Sequence, residues 1–309
     1  MSDLGSGSYR YTFNMIFRTL SNLYQRLPVI SHLRKIVLSL GDMKAQLNHL
    51  NMLEQIRLLD FDLRDDPRFN DPKRLLRHQT QICSQNGEDG IIHEIFKRIG
   101  TTSKVFVEIG VGDGRENNTA FLLSQGWRGF WFDGGDQFLG SIHGRRDLAD
   151  GCLRHHIGFV TRENVAGLFG SLGVPDEFDL LSVDIDQNTY HVWEGLKAYR
   201  PRVVVVEYNA ALPPDIDWKV NYEPTRFWDG TQNYSASLKA YENLGRLLGY
   251  SLVGCDSTGS NAFLVRTDLV ADRFSEPFTG ENHYEPLRYA MTYYRRSHPP
   301  SILDRQRDT

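Results

Sequence analysis

Five acidic residues stand at or near the ends of apolar runs, where a folded chain would present them at one edge of a sheet. Val105 to Gly114 reads VFVEIGVGDG: a β-branched run closes on Glu108 and then on Gly110, Gly112 and Gly114 at alternate positions. Glycines so spaced permit φ > 0 and remove side chains that would hold a ligand off the backbone. Such a turn ahead of a helix N-terminus is how open α/β sheets hold nucleotide-like molecules. An ordinary Gly-rich strand-to-helix turn has the same composition. The next run, GFWFD, ends on Asp133 before a Gly-Gly turn. An acid there can accept ribose hydroxyls, or simply form an Asp-Gly turn. Two later runs end in Asp184 with Asp186, and in Glu207 with Asn209. If those strands are neighbours, Asp184, Glu207 and Asn209 offer oxygens for a hard cation, Mg²⁺ or Mn²⁺. That cation would lower the pKa of a bound hydroxyl. Without a metal the acids hydrogen-bond a ligand or helix N–H groups, and a side chain must take the hydroxyl proton. Asp184, Asp186 and His191, one or two helical turns on, are the catalytic candidates.

The elements that must position these residues begin at about position 84, where the sequence alternates between strand and helix patterns, as in a parallel α/β sheet. Strands are predicted at 104–109, 129–133, 153–160, 178–183 and 202–207. Helices are predicted at 89–99, 117–124, from about 163, at 190–199 and at 235–248. Tyr250–Cys255 and Ala262–Arg266 flank a DSTGS loop and read as an antiparallel hairpin. His155 and His156 alternate to opposite faces of their strand, which argues against a joint metal site. The stretch Asn209–Tyr234 holds Trp218, Tyr222, Phe227, Trp228 and Tyr234 among Asp and Arg residues. Long loops at such a position are lids or binding loops; the plainer alternative is a satellite core.

Upstream, the chain divides into a helical, coiled-coil-like extension (1–62), a proline-punctuated linker (63–80), the α/β domain (81–270) and a C-terminal extension (271–309). Tyr9 to Leu40 is aromatic and Leu-rich with Arg10, Arg18, Arg26, Arg34 and Lys35, and Pro28 divides it into two helical pieces. A basic amphipathic segment can lie peripherally on an anionic membrane; packing on its own domain is the favoured expectation. Leu33, Ile36, Leu40, Met43, Leu47 and Leu50 step by three and four, and Leu53, Ile56 and Leu59 extend the stripe after one shortened step. This coiled-coil-like seam predicts a homo-oligomer; the alternative is a helix that caps the chain's own α/β core.

The 309 residues, 40% hydrophobic and 24% charged, have the composition of a soluble globular protein. A net charge of −4 gives no electrostatic case for nucleic acid. Cys83, Cys152 and Cys255 form neither a metal-type pair nor a disulfide framework, which suits a reducing cytoplasm. The first residues lack the pattern of a secretory signal.

Taken with these runs, Ser84-Gln85-Asn86-Gly87-Glu88-Asp89, Glu116-Asn117-Asn118-Thr119 and Gly126-Trp127-Arg128-Gly129 complete a recognisable pattern. Over roughly 81–270 the sequence resembles FkbM-type, class I S-adenosylmethionine (SAM)-dependent methyltransferases, whose motif I carries an acid and G-x-G-x-G. The resemblance implies a Rossmann-like methyltransferase sheet closed by an antiparallel hairpin. It also implies O-methylation, often of a sugar hydroxyl in a glycan or natural product. SAM would contact Glu108, Gly110, Gly112, Gly114 and Asn118, with Asp133 on the ribose and Gln85 and Glu88 near the methionine end. The Asp-and-Glu-x-Asn set is similar to that of catechol-type methyltransferases, but its last two ligands are separated by a residue. The alternatives are a nicotinamide-dependent oxidoreductase or epimerase, for which no Tyr-x-x-x-Lys pair is present, and a non-catalytic ligand-binding assembly protein. Asp184-x-Asp186 also matches a glycosyltransferase metal pair, whose enzymes do not need the glycine turn.

Overall fold

The computed structural model describes residues 28–57, 66–138 and 150–288. The segment before Pro28 and residue Leu59, both assigned above to helical patterns, lie outside these residues. Two compact units are present, 1–54 and 55–309. Helix α1 (Pro28–Arg57), whose last three residues fall in the second unit, begins at Pro28 itself, because proline fits the first turn of a helix, where its missing N–H costs nothing. Among the described residues no helix is long and apolar enough to cross a membrane.

In the second unit seven strands form one sheet among the described residues: β1 (Val105–Ile109), β2 (Arg128–Asp133), β3 (Leu153–Ile157), β4 (Glu177–Val183), β5 (Arg200–Glu207), β6 (Tyr250–Cys255) and β7 (Asn261–Arg266). Their order is β3-β2-β1-β4-β5-β7-β6. The first five are parallel, and β7 runs antiparallel between β5 and β6. This is a Rossmann-like, mostly parallel sheet closed by a reversed hairpin.

The strands are continuous apolar runs because both faces are covered. Successive side chains point to opposite faces. Val105, Val107 and Ile109 of β1, with Val204 and Val206 of β5, therefore enter one core. Phe106, Val203 and Val205 enter the other. The first core is closed by helices α5 (Val165–Leu172), α6 (Thr189–Gly195) and α7 (Leu238–Leu248), which supply Phe169, Trp193 and Tyr241. The second is closed by α3 (Glu88–Ile99), which follows the four-residue helix α2 (Pro67–Asn70) in the chain and supplies Ile91, Ile92, Ile95 and Phe96. Helix α3 carries Glu88 and Asp89 in its first turn and Lys97 and Arg98 in its last, matching the helix dipole. Helix α7 is capped by Ser237, whose side chain accepts from Ala240 N, and ends at Gly249 in the left-handed region. The helix after β1, α4 (Ala120–Ser124), is short.

Residues on both sides of the 81–270 stretch pack into the same unit. Leu75 and Phe274 are fully buried in the second core. A C-terminal strap crosses the sheet end: Tyr208 donates to Glu285 O at 2.6 Å, Tyr284 to Ala210 O at 2.6 Å, and Arg288 N to Thr258 O at 2.7 Å. Arg68 pairs with Glu285 at 2.7 Å. The segments read as a linker and a C-terminal extension thus help to close the domain.

Gly129 in β2 lies under the ring of Phe106, where an added Cβ would come within 2.0 Å of the ring. Gly129→Ala is therefore expected to destabilise the fold by about 1–3 kcal/mol through overpacking. A lowered urea midpoint with an unchanged m-value would show it.

Candidate active site

Parallel register sets the site. Ile109 pairs with Val183, and Val183 with Val206, so Gly110, Asp184 and Glu207 follow one another across the carboxyl edge. Glu207 in turn pairs with Asn261, the first residue of β7. Gly110 N donates to Phe132 O at 2.8 Å, and Asp184 N to Ile109 O at 2.9 Å. At Gly110 (φ +90) an added Cβ would sit 1.5 Å from the Asp184 carbonyl oxygen, so this glycine lets two backbones meet. At Gly112 (φ +58) nothing lies within 4 Å of an added Cβ, so this one leaves room for a ligand.

Two clefts meet over this bend, and Gly110, Gly112 and Asp184 line both. One, of about 270 Å³, runs past Asp133, Phe159 and Asn188 to Phe227 and Trp228. The other, of about 350 Å³, is lined by Gln85, Glu88, Glu108, Asn118 and Asn261.

Several acids around the clefts are held by the chain itself. The Glu108 carboxylate accepts from Asn118 N (2.9 Å), Thr119 N (3.1 Å), Asn117 Nδ2 and Thr119 Oγ1, fixing the turn into α4. Asp133 Oδ2 accepts from Val111 N (2.9 Å) and Gly112 N (2.7 Å), and Oδ1 from Gly135 N (2.7 Å). Besides bordering the cleft, Asp133 therefore braces the glycine turn. Asp89 Oδ2 gathers the N–H groups of Ile82, Cys83 and Ser84, folding the pre-strand segment over α3. Glu88 accepts from Asn86 N (2.8 Å) and Asn261 Nδ2 (2.6 Å). Burial, with Asp256 nearby, pushes the Glu88 carboxyl up to about 7.

Asp184, Asp186 and Glu207 differ. One oxygen from each lies within 4.8 Å of the others. Asp184 and Glu207 share a hydrogen bond, and burial followed by the charge of Asp186 raises Asp184 to about 7. Burial and then Asp184 push Glu207 well above the usual carboxylate range. Glu207 Oε2 is buried without a partner. Asp186 is exposed and left-handed (φ +54), a conformation that aspartate tolerates better than most residues.

Three predicted site residues line neither cleft. His191 is buried, its Nε2 bonded to Val220 O at 2.8 Å; it lines neither cleft, and burial lowers its pKa. It is packed among its neighbours rather than presented to a cleft. Asn209 spends its amide on the following loop, donating to Gln232 O and Tyr234 O and accepting from Ala211 N. Asp186 takes its place in the carboxylate group. Gly114 is buried in a turn, donating to Val111 O, and lines neither cleft.

The aromatic stretch divides. Val220 and Tyr234 are buried, whereas Arg226, Phe227 and Trp228 line the first cleft. Phe227 meets Phe159 edge-on at 5.0 Å, and Asn188 Nδ2 holds the base of this flap through Glu223 O at 2.8 Å. Asn188, Phe159 and Asn261 escaped the sequence reading. The available signals were a polar residue heading an apolar strand for Asn261 and an aromatic just past a strand end for Phe159.

No protein-family model and no curated protein matches this chain. Among solved structures, a SAM-dependent methyltransferase from Clostridium acetobutylicum is 11% identical, with 70% of this chain and 98% of that one covered and a TM-score of 0.36. The pyocyanin biosynthetic protein PhzM is 16% identical, with 57% and 54% covered and a TM-score of 0.35. The glycopeptide N-methyltransferase MtfA, complexed with SAM, is 12% identical, with 56% and 84% covered and a TM-score of 0.33. The chain spans about half the length of PhzM. At such scores these likenesses carry no argument about activity, which rests on the site.

Gly112→Ala should cost only about 1–2 kcal/mol, the penalty for a left-handed alanine, yet weaken nucleoside binding at least tenfold by titration calorimetry. Glu88 has a raised folded-state pKa, so its stabilising contribution is complete below its ordinary 4.5 and lost as pH rises through about 7. Melting temperature should fall across that window in the parent protein, and the fall should shrink in Glu88→Gln.

Proposed function

We propose that this protein is a SAM-dependent O-methyltransferase acting on a hydroxyl of a sugar in a glycan or natural product. The observation that carries the reading is the junction of two clefts at Gly110, Gly112 and Asp184. SAM is a nucleoside and an amino acid joined at a sulfonium, and such a molecule fits two arms meeting at a bare bend. The Asp133–Phe159 arm suits the nucleoside. The second arm, with Glu88, Glu108 and Asn118, suits the methionine end, because its acids favour an α-ammonium and a sulfonium. When bound, SAM supplies an already activated methyl group.

The chain then has two tasks. The first is alignment: the acceptor oxygen must be held in line with the methyl group beside Asp184. The second is proton acceptance. In the Asp184–Glu207 pair one carboxyl is ionised and the other protonated, so the pair can take the hydroxyl proton as the new C–O bond forms. Phe227 (70% exposed) and Trp228 (50% exposed) stand at the cleft mouth. Aromatic faces beside carboxylates suit a sugar, whose C–H faces are apolar and whose hydroxyls seek acceptors.

A second reading is favoured by the oxygens of Asp184, Asp186 and Glu207 lying within 4.8 Å. Hard oxygen donors of that kind fit Mg²⁺ or Mn²⁺, which would relieve the same repulsion as the shared proton. A tritiated-SAM transfer assay against glycan fractions, with and without EDTA, separates the readings. Turnover undiminished by chelator supports the proton-sharing pair; inhibition reversed by Mg²⁺ supports the cation.

Asp184→Asn should lower turnover by about 10²–10⁴ while S-adenosylhomocysteine binding stays within a few-fold. In the parent protein the rate should fall about tenfold per pH unit below about 7, as Asp184 gains its proton. Calorimetric binding of NAD with none of S-adenosylhomocysteine would overturn the assignment in favour of a nicotinamide enzyme.

A further inference from the structure

Helix α1 carries an apolar seam that the methyl-transfer reading leaves unused. Leu33, Ile36, Leu40, Met43, Leu47 and Leu50 recur with 3-4-3-4-3 spacing, and each is between 53% and 61% exposed. A helix packed on a sheet buries a wider stripe. A strict seam at positions a and d of a heptad matches another helix bearing the same seam.

We infer that α1 pairs with the α1 helix of a second copy of this chain. Two features identify that occupant. The positions flanking the seam are His32, Val37, Ser39, Lys44, Gln46 and Asn51. Among them Lys44 is the sole fixed charge, and in parallel alignment it faces Ser39 of the other copy. No like-charge contact opposes pairing, and no opposite charge calls for a different partner. Area is the second feature. Six side chains about half exposed offer roughly 600 Å² per helix, or roughly 1,200 Å² in a pair, the lower bound of a stable specific interface. The shortened step from Leu50 to Leu53 ends the regular repeat and limits the pairing to about two and a half heptads. The seam has Leu at each a position and Ile, Met and Leu at d; this mixture specifies self-pairing without fixing the number of copies.

The test is mass by light scattering at about 1–50 µM on the parent chain and two variants. The parent should show a multiple of the chain mass. Leu40→Glu combined with Leu47→Glu should return it to one copy, with S-adenosylhomocysteine binding within two-fold and an unchanged melting temperature of the α/β unit. Leu38→Glu is the control: Leu38 is 60% exposed but lies opposite the seam, so its mass should match the parent's. A monomeric parent, or a seam variant that keeps its multiple mass, would overturn the inference. So would a monomer that co-sediments with anionic vesicles through Leu40 and Leu47, which would make the seam a membrane contact. Loss of methyl transfer without a change in mass bears on the active site alone.

Discussion

The approach of two backbones at the carboxyl edge, Gly110 against the carbonyl of Asp184, is the constraint on which the rest depends. No side chain fits there: an added Cβ would come within 1.5 Å of that oxygen. The contact lets β1 and β4 stay in register to their ends, with Asp184 N still donating to Ile109 O. Register then does the remaining work. Because β4 and β5 are also paired to their ends, Glu207 arrives beside Asp184, and because β7 runs backwards, its first residue, Asn261, arrives beside Glu207. A slip of one residue in any of these pairs would turn the whole set to the other face.

The acids around the clefts separate by what occupies their lone pairs. Glu108, Asp133, Asp89 and Asp256 accept backbone N–H groups, several at once, and each fixes a loop. A carboxylate saturated by donors is a brace. Asp184 and Glu207 instead face one another and Asp186. They are raised by burial and mutual repulsion, with one oxygen left unpaired. Groups in that condition are costly to the fold and suited to exchanging a proton or holding a cation.

The border of the site is assembled from distant parts of the chain. Glu88, at the start of α3, bonds Asn261 across 173 residues, and Asn188 bonds the flap across 35. The strap around Glu285 packs against the hairpin loop itself, through Arg288, and is held from the end of β5 by Tyr208. Such contacts explain why the folded unit extends on both sides of the stretch that carries the motifs.

What the sequence determined by itself was local. Continuous apolar runs, glycine turns and capped helices fixed the elements, their order and the reversed hairpin, because each depends on neighbouring residues and on burial of both sheet faces. The bare bend at Gly112 and the places of Asp184 and Glu207 at the carboxyl edge were legible for the same reason: each ends or closely follows its own strand. Only the tertiary structure decided the duties of individual polar groups. His191, Asn209 and Gly114 have the right chemistry and spacing, but a carbonyl from Val220, carbonyls from 232 and 234, and a turn at Val111 had already claimed them. Asp133 was legible as an acid at a strand end, but not as the brace of the turn beside it. A hydrogen bond is a short-range contact between groups whose separation along the chain is arbitrary. No local pattern can say which donor will fill which lone pair until the sheet has brought them together.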